Sequence, residues 1–310
     1  MSDSDNKIKN TATAPVLTAV VSGLLVLSTF IDREILQYQN NMYLSVIIMY
    51  ILLLIMPGIF FSKLKGTGYV EKLNFRFSGP SKYFFIIFMF LAMIGGTMIL
   101  KLLQYGMGMY SPVITYFDRY LPSGILINTN PLYVILTYAI LPAVAEEFIF
   151  RGILLTEYAT GGTGQLNAIF LTALLYGMSF FDFVQFPVRF VIGFAFGAIV
   201  FVTESILSAM IAHTLYNLFI IYTEDYMMRL AGQTGNLLLY ITIMLICVFV
   251  FVILALGSAE KIYYRYGLEK PEAPYPVPKK GGLMKIFADA ALKPSYLICG
   301  GIFIAAAIFI

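Results

Sequence analysis

The sequence predicts an all-α protein, a polytopic transmembrane helical bundle of about eight to nine spans. Three observations carry that expectation. Of its 310 residues 60% are hydrophobic and only 12% are charged, whereas a soluble domain carries roughly a quarter charged residues. Apolar runs long enough for a helix to cross a hydrocarbon core, about 20 residues for ~30 Å, recur from one end of the chain to the other. Lysine and arginine, finally, gather in two connecting segments instead of spreading evenly. The formal charge of +3 is too small to imply a nucleic-acid partner.

The apolar runs fall at 14–31, 42–62, 82–101, 131–156, 166–183, 186–203, 205–222, 235–258 and 294–310. No small-residue cleavage site precedes Ile31-Asp32-Arg33, so the first run reads as a retained span and not as a signal peptide. Residues 1–13 are polar and are expected to form a disordered cytoplasmic tail. Residues 14–130 hold the first spans and their loops, and 131–222 form a core of four closely spaced helices. Residues 223–310 hold further spans and a basic cytoplasmic linker. The segment 102–130 is rich in tyrosine and broken by Pro112 and Pro122, which suits the headgroup boundary. Lys270 to Lys279 carries four prolines and reads as a stiff linker leading to a weakly amphipathic segment at 282–292.

Orientation follows from the basic residues, because cytoplasmic loops carry the excess of Lys and Arg. Segment 62–82 holds Lys63, Lys65, Lys72, Arg76 and Lys82, and segment 259–293 holds seven more basic residues. With nine spans both segments lie on one side. That places the N-terminus in the cytoplasm of an integral, multi-pass protein of a prokaryotic-type plasma membrane. Cys247 and Cys299 lie inside apolar runs and read as buried free thiols, with neither a disulfide framework nor a metal pattern.

The chemistry concentrates in Glu146-Glu147-x-x-x-Arg151. A charge at bilayer depth costs at least about 2.5–3.5 kcal/mol, and three lie within six positions. Glu147 and Arg151 are four apart and pair on one helix face. Glu146 is turned by about 100° from Glu147, so one arginine does not hold both. The plain alternative is a salt bridge that locks helix packing, which leaves Glu146 unexplained. His213 is the only histidine, with Asn217 four residues on along the same face. Either side chain is able to donate to a developing oxyanion. By helix rise, Glu146 and residue 180 both lie roughly 20 Å from the turn near 158–164, and His213 roughly 12–15 Å from the turn at 203–205, so packed helices bring them together near mid-membrane. Gly193 and Gly197 form a small-residue face that suits close helix approach more than chemistry.

Leu141-Pro-Ala-Val-Ala-Glu-Glu-Phe-Ile-Phe-Arg-Gly resembles the E-E-x-x-x-R motif of the CAAX-protease and bacteriocin-immunity (CPBP, Abi) family of intramembrane endopeptidases. His213-Thr-Leu-Tyr-Asn217 resembles its H-x-x-x-N motif, and Leu174–Met178, Gln185-Phe186 and Thr203-x-Ser205-x-Leu207 are similar to the stretch between. The resemblance covers about 131–222. It implies a peptide hydrolase with Glu146 as general base, Glu147 and Arg151 orienting the site, and His213 and Asn217 supporting the oxyanion. It also implies a hydrophobic or lipidated peptide, or a membrane protein, as substrate. The family's middle motif, F-x-x-x-H, is broken, because Phe180 stands where its histidine belongs. One Glu and one His make an incomplete set for a divalent metal such as zinc, which normally takes three protein ligands, so a Glu-activated water is expected instead. Asp182 is the nearest substitute carboxylate, but its place in the chain points to the outer interface, paired with Arg189. The alternative reading is a non-catalytic relative that keeps the polar pocket for binding, immunity or assembly. A transporter lacks support, since no inverted pair of broken helices is evident.

Overall fold

The computed structural model describes residues 13–28, 42–66, 73, 75–110, 130–269 and 283–309. The expected disordered tail, the centre of the tyrosine-rich loop and the proline-rich linker lie outside these residues. Ten helices make up the described chain, with no strand among the described residues. Helix α1 is Thr13–Ser28. Helix α2 joins Met42–Tyr50, a π-helical turn at Ile51–Ile55, and Met56–Leu64. Helix α3 is Tyr83–Gly106. Helix α4, Pro131–Thr160, carries two π-helical stretches, Ile135–Ile140 and Phe148–Leu154, on either side of Leu141–Glu147. Helices α5 and α6 are Gln165–Met178 and Phe186–Thr203. Helix α7 runs from Ile206 to Gln233 and α8 is Leu237–Glu269. Helices α9 and α10 are Leu283–Ala291 and Pro294–Phe309, bent by 68° to one another.

Contacts at the helix ends sort these elements into an up-and-down bundle. At one end Lys65 of α2 pairs with Glu157 of α4 and donates to Thr13 of α1. At the same end Lys82, before α3, donates to the carbonyl of Thr203 at the close of α6, and Phe201 meets Tyr263 of α8. At the far end Gln104 of α3 donates to the carbonyl of Val184, and Tyr110 donates to Glu224 of α7. Both basic segments therefore close on a single end of the bundle. Helix α10 lies along α5, with Tyr296 donating to the carbonyl of Leu171 and Phe303 against Phe183 and Phe186.

Six helices, α2, α3, α4, α6, α7 and α8, are long and apolar enough to cross a membrane, or seven if the bent α9–α10 pair counts as one span. The protein is thus a multi-pass membrane protein, and the expected eight to nine spans is corrected to six or seven. Helices α1 and α5 are apolar but short. The 14 residues of α5 reach only about 21 Å. Its apolar run continues to Phe183, but the helix stops at Met178, and Phe181 takes a left-handed backbone with φ of 52°. That conformation is uncommon for a bulky residue, and here it reverses the chain between α5 and α6. The turn at 179–185 carries the chain on toward the end marked by Gln104. Its polar backbone is held by Ser179 Oγ donating to the carbonyl of Tyr176, by Gln104, and by Asp182, which accepts from the N–H groups of Val184 and Gln185. Non-helical chain at membrane depth is tolerated where protein covers it in this way.

Helices α5 and α6 pack closely near the site. A Cβ on Gly193 would meet the Cα of Ala173 at 3.0 Å, and one on Gly197 would meet Ile169 at 3.0 Å. The small-residue face thus sets their spacing. Helix α8 instead turns a wide apolar surface outward, including Leu245, Ile246, Phe249 and Ile253, as expected where lipid is the solvent.

A second buried ion pair lies near the far end, where Lys101 of α3 pairs with Glu224 of α7, both 2% exposed. Each lies at the margin of an apolar run, where sequence alone suggests an interfacial charge. Packing of α3 on α7 covers both.

Candidate active site

Helix α4 brings the acidic pair into the centre of the bundle. Leu141–Glu147 is regular α-helix, so Glu146 and Glu147 leave it in different directions, and both are buried. Glu147 Oε1 accepts from Arg151 Nη1 at 3.0 Å, the expected pairing one turn along. The same oxygen lies 2.8 Å from His213 Nδ1 on α7. Arg151 spends Nη2 on the carbonyl of Gly193 at 3.0 Å, and so ties α4 to α6. Its guanidinium lies 4.6 Å from the ring centre of Tyr176 and 5.5 Å from that of Phe196. A buried charge needs a partner and hydrogen bonds to be tolerated, and Arg151 has a carboxylate, a carbonyl and ring faces.

Glu146 points elsewhere. Its Oε2 accepts from the hydroxyl of Tyr176 on α5 at 2.8 Å, and its Oε1 lies at the limit of a hydrogen bond, 3.5 Å, from the hydroxyl of Tyr50 on α2. His213 Nε2 stands 3.8 Å from Oε2. The imidazole is stacked on Phe196 at 4.7 Å between centroids, so its plane is fixed by a ring on one face and a carboxylate at one edge. With Nδ1–H donated to Glu147, Nε2 is the nitrogen presented to Glu146. The sequence of contacts Arg151–Glu147–His213–Glu146 links two helices through four buried side chains.

Asn217 lies one turn beyond His213 and is also buried. Its Nδ2 donates to the carbonyl of Ala139 at 3.2 Å, in the π-helical turn just before Pro142. Proline has no N–H to give the preceding turn, and the Asn217 amide joins α7 to α4 at that irregular point. Of the five site residues expected from the sequence, Glu146, Glu147, Arg151 and His213 contact one another, while Asn217 braces the helix that carries two of them.

Phe180 is the second residue of the turn after α5. Its ring packs edge-on to Tyr176 at 5.4 Å, and the guanidinium of Arg189 lies 3.9 Å over its face. Asp182 is a turn cap and not a substitute carboxylate at Glu146, because its Oδ1 is spent on two backbone N–H groups of its own loop. Two participants, Tyr50 and Tyr176, are not legible in the sequence, where they read as ordinary core aromatics, since a phenol's partner is set by tertiary packing. Arg189, expected near the outer interface beside Asp182, is 3% exposed.

The donor set does not fit a catalytic zinc ion, which takes three protein ligands and keeps a position for water. Glu147 Oε1 and His213 Nδ1 are spent on one another, and the ring of Phe180 stands beside Tyr176 where another nitrogen would be required. No group of three His, Cys, Asp or Glu side chains suited to a metal occurs among the described residues.

Comparison with known families gives a match. A model described as type II CAAX prenyl endopeptidase Rce1-like matches residues 128–219, under a third of the chain. No curated protein and no solved structure matches. The matched stretch opens just before α4 and closes just after Asn217, and so contains every residue of the acidic, histidine and asparagine cluster. Residues 128–219 are therefore a domain of the Rce1-like CAAX prenyl endopeptidase family, set among further membrane helices.

Proposed function

We propose that this chain is a membrane-embedded endopeptidase in which Glu146 activates the water that attacks a peptide carbonyl. The observation that carries this reading is the 3.8 Å gap between Glu146 Oε2 and His213 Nε2. That is too long for a direct hydrogen bond, and one water is able to bridge groups at such a separation. Glu147 holds Nδ1–H of His213 and so leaves Nε2 as an acceptor toward that water. The water oxygen attacks the carbonyl carbon while Glu146 takes its proton, and the carbonyl electron pair moves onto oxygen. The tetrahedral adduct then collapses, the C–N bond breaks, and Glu146 returns the proton to the departing amine. Glu147 and Arg151 keep the imidazole oriented, the part a third residue plays behind a catalytic base. In this arrangement His213 holds water with Glu146, and Asn217 acts as a brace. The substrate class is a hydrophobic or lipidated peptide, or a membrane protein segment, delivered within the bilayer.

The test is cleavage of such a peptide by purified protein in detergent or vesicles. Glu146→Gln keeps the shape and both tyrosine contacts but removes the base, so cleavage should fall to background while thermal unfolding stays within a few degrees. Full activity in that variant removes Glu146 from the mechanism.

Phe180 favours a second reading, a non-catalytic relative whose buried polar site serves binding or assembly. The discriminating variant is Phe180→His, made in the otherwise native chain. If the native protein is inert and this one change creates cleavage, the chain is a lapsed hydrolase. If the native protein cleaves and the variant does no better, Phe180 belongs to a working site.

A further inference from the structure

With both carboxylates ionised and the imidazole neutral, the acidic pair, Arg151 and His213 leave the buried site one positive charge short. Glu146 and Glu147 bring two carboxylates, Arg151 is committed to Glu147, and a neutral imidazole adds nothing. Unbalanced charge at this depth is costly. The missing cation lies on the first turn of α6. Arg189 is 3% exposed, and its guanidinium rests 3.9 Å over the ring of Phe180. Phe180 packs against Tyr176, whose hydroxyl donates to Glu146 at 2.8 Å. A guanidinium within about 6 Å of a ring centroid is attracted by the ring's negative face, most strongly where water is excluded.

We propose that Arg189, seated on the ring of Phe180, is the counter-charge of Glu146, and that this pair stands in for the histidine of the family's broken middle motif. Phenylalanine at 180 is then not simply a lost ligand. It is the seat that holds an arginine from the neighbouring helix beside the site, which a protonated histidine at 180 would repel. Arg189 and His213 are the positively charged or chargeable groups whose fields reach the Glu146 carboxylate, against Glu147, whose field opposes them. Arg189 acts here as a positioning residue. It balances the charge on Glu146 from across the edge-on Phe180–Tyr176 pair and is assigned no contact with substrate.

The inference uses the site geometry and deepens the hydrolase reading, but it is separable from it by experiment. The first measurement is a double-mutant cycle in thermal unfolding of the detergent-solubilised full chain, with Arg189→Met and Glu146→Gln. Arg189→Met alone should lower Tm by several degrees, because a buried carboxylate loses its balance. In the Glu146→Gln background the same change should cost much less. Equal losses in both backgrounds would overturn the proposal, since a purely packing role for Arg189 is blind to the charge at 146. The second measurement is peptide cleavage. Arg189→Met should lower kcat at least tenfold with KM nearly unchanged, and Arg189→Lys should recover part of the loss. Adding Phe180→His to Arg189→Met should restore cleavage that neither single change supports. A cycle that couples in an inert native protein would sustain the counter-charge and sink the hydrolase. A cleaving protein with an additive cycle would do the reverse.

Discussion

At the scale of single residues, the most informative side chains are the ones whose role depends on a neighbour. The Glu147–Arg151 pair was legible from spacing alone, because four residues bring two side chains onto one helix face. The separate direction of Glu146 was legible for the same reason. The hydroxyl of Tyr176 was not, because nothing in Leu-Tyr-Gly tells which way a phenol will turn once α5 packs on α4. That bond gives a sharp expectation. Tyr176→Phe removes one donor at 2.8 Å while keeping the ring that faces Arg151 and meets Phe150 and Phe180 edge-on. A hydrogen bond to a charged group contributes about 1.5–3 kcal/mol, so cleavage should drop roughly ten- to a hundredfold with folding preserved. Unaltered cleavage in Tyr176→Phe would show that Tyr50 and His213 alone set Glu146.

At the scale of elements, the site depends on how closely α5 and α6 approach. The sequence marked Gly193 and Gly197 as a packing face, and the structure adds that the carbonyl of Gly193 accepts from Arg151. Packing and electrostatics thus meet at one residue. Gly193→Val would put a side chain 3.0 Å from the Cα of Ala173 and 3.1 Å from the Tyr176 ring. Backbone on one side has little room to yield, and overpacking of this kind costs about 1–3 kcal/mol. The helices should part, Tyr176 should lose Glu146, and Tm and cleavage should fall together. Gly257→Val on α8 is the matched control, since nothing lies within 4 Å of its added Cβ; it should behave as native. The end of α5 shows where sequence reading stops. Ser179-Phe-Phe-Asp-Phe183 continues the apolar pattern of the helix, and only the left-handed Phe181 reveals the reversal. Propensity does not announce a left-handed phenylalanine, because such a conformation is imposed by the tertiary packing around it.

At the scale of the whole molecule, the charges and the helix directions agree. Lys65 and Lys82 lie at the end where α2 and α6 close, and Tyr263 joins Phe201 there, two residues beyond Lys261. For both basic segments to share an end, an even number of traverses must separate them. The six helices from α3 to α8 satisfy this only if short α5 is counted with its turn. Counting by length alone puts five spans between the segments and splits the lysines between two sides. The contacts of Gln104 with Val184 and of Tyr296 with Leu171 place α5 between the two ends, and a shared end for the lysines requires that it cross despite its length. By the excess of lysine and arginine on cytoplasmic loops, the end with Lys65, Lys82 and Lys261 should face the cytoplasm, and α1 should begin there. Single cysteines placed in a chain lacking Cys247 and Cys299 test this with a membrane-impermeant maleimide on whole cells. Lys82→Cys and Lys261→Cys should label only after the membrane is opened, while Gly108→Cys and Asn236→Cys should label in intact cells. Opposite labelling of positions 82 and 261 would mean that α5 does not cross. The Glu146–Tyr176 contact would then have to form within a re-entrant hairpin.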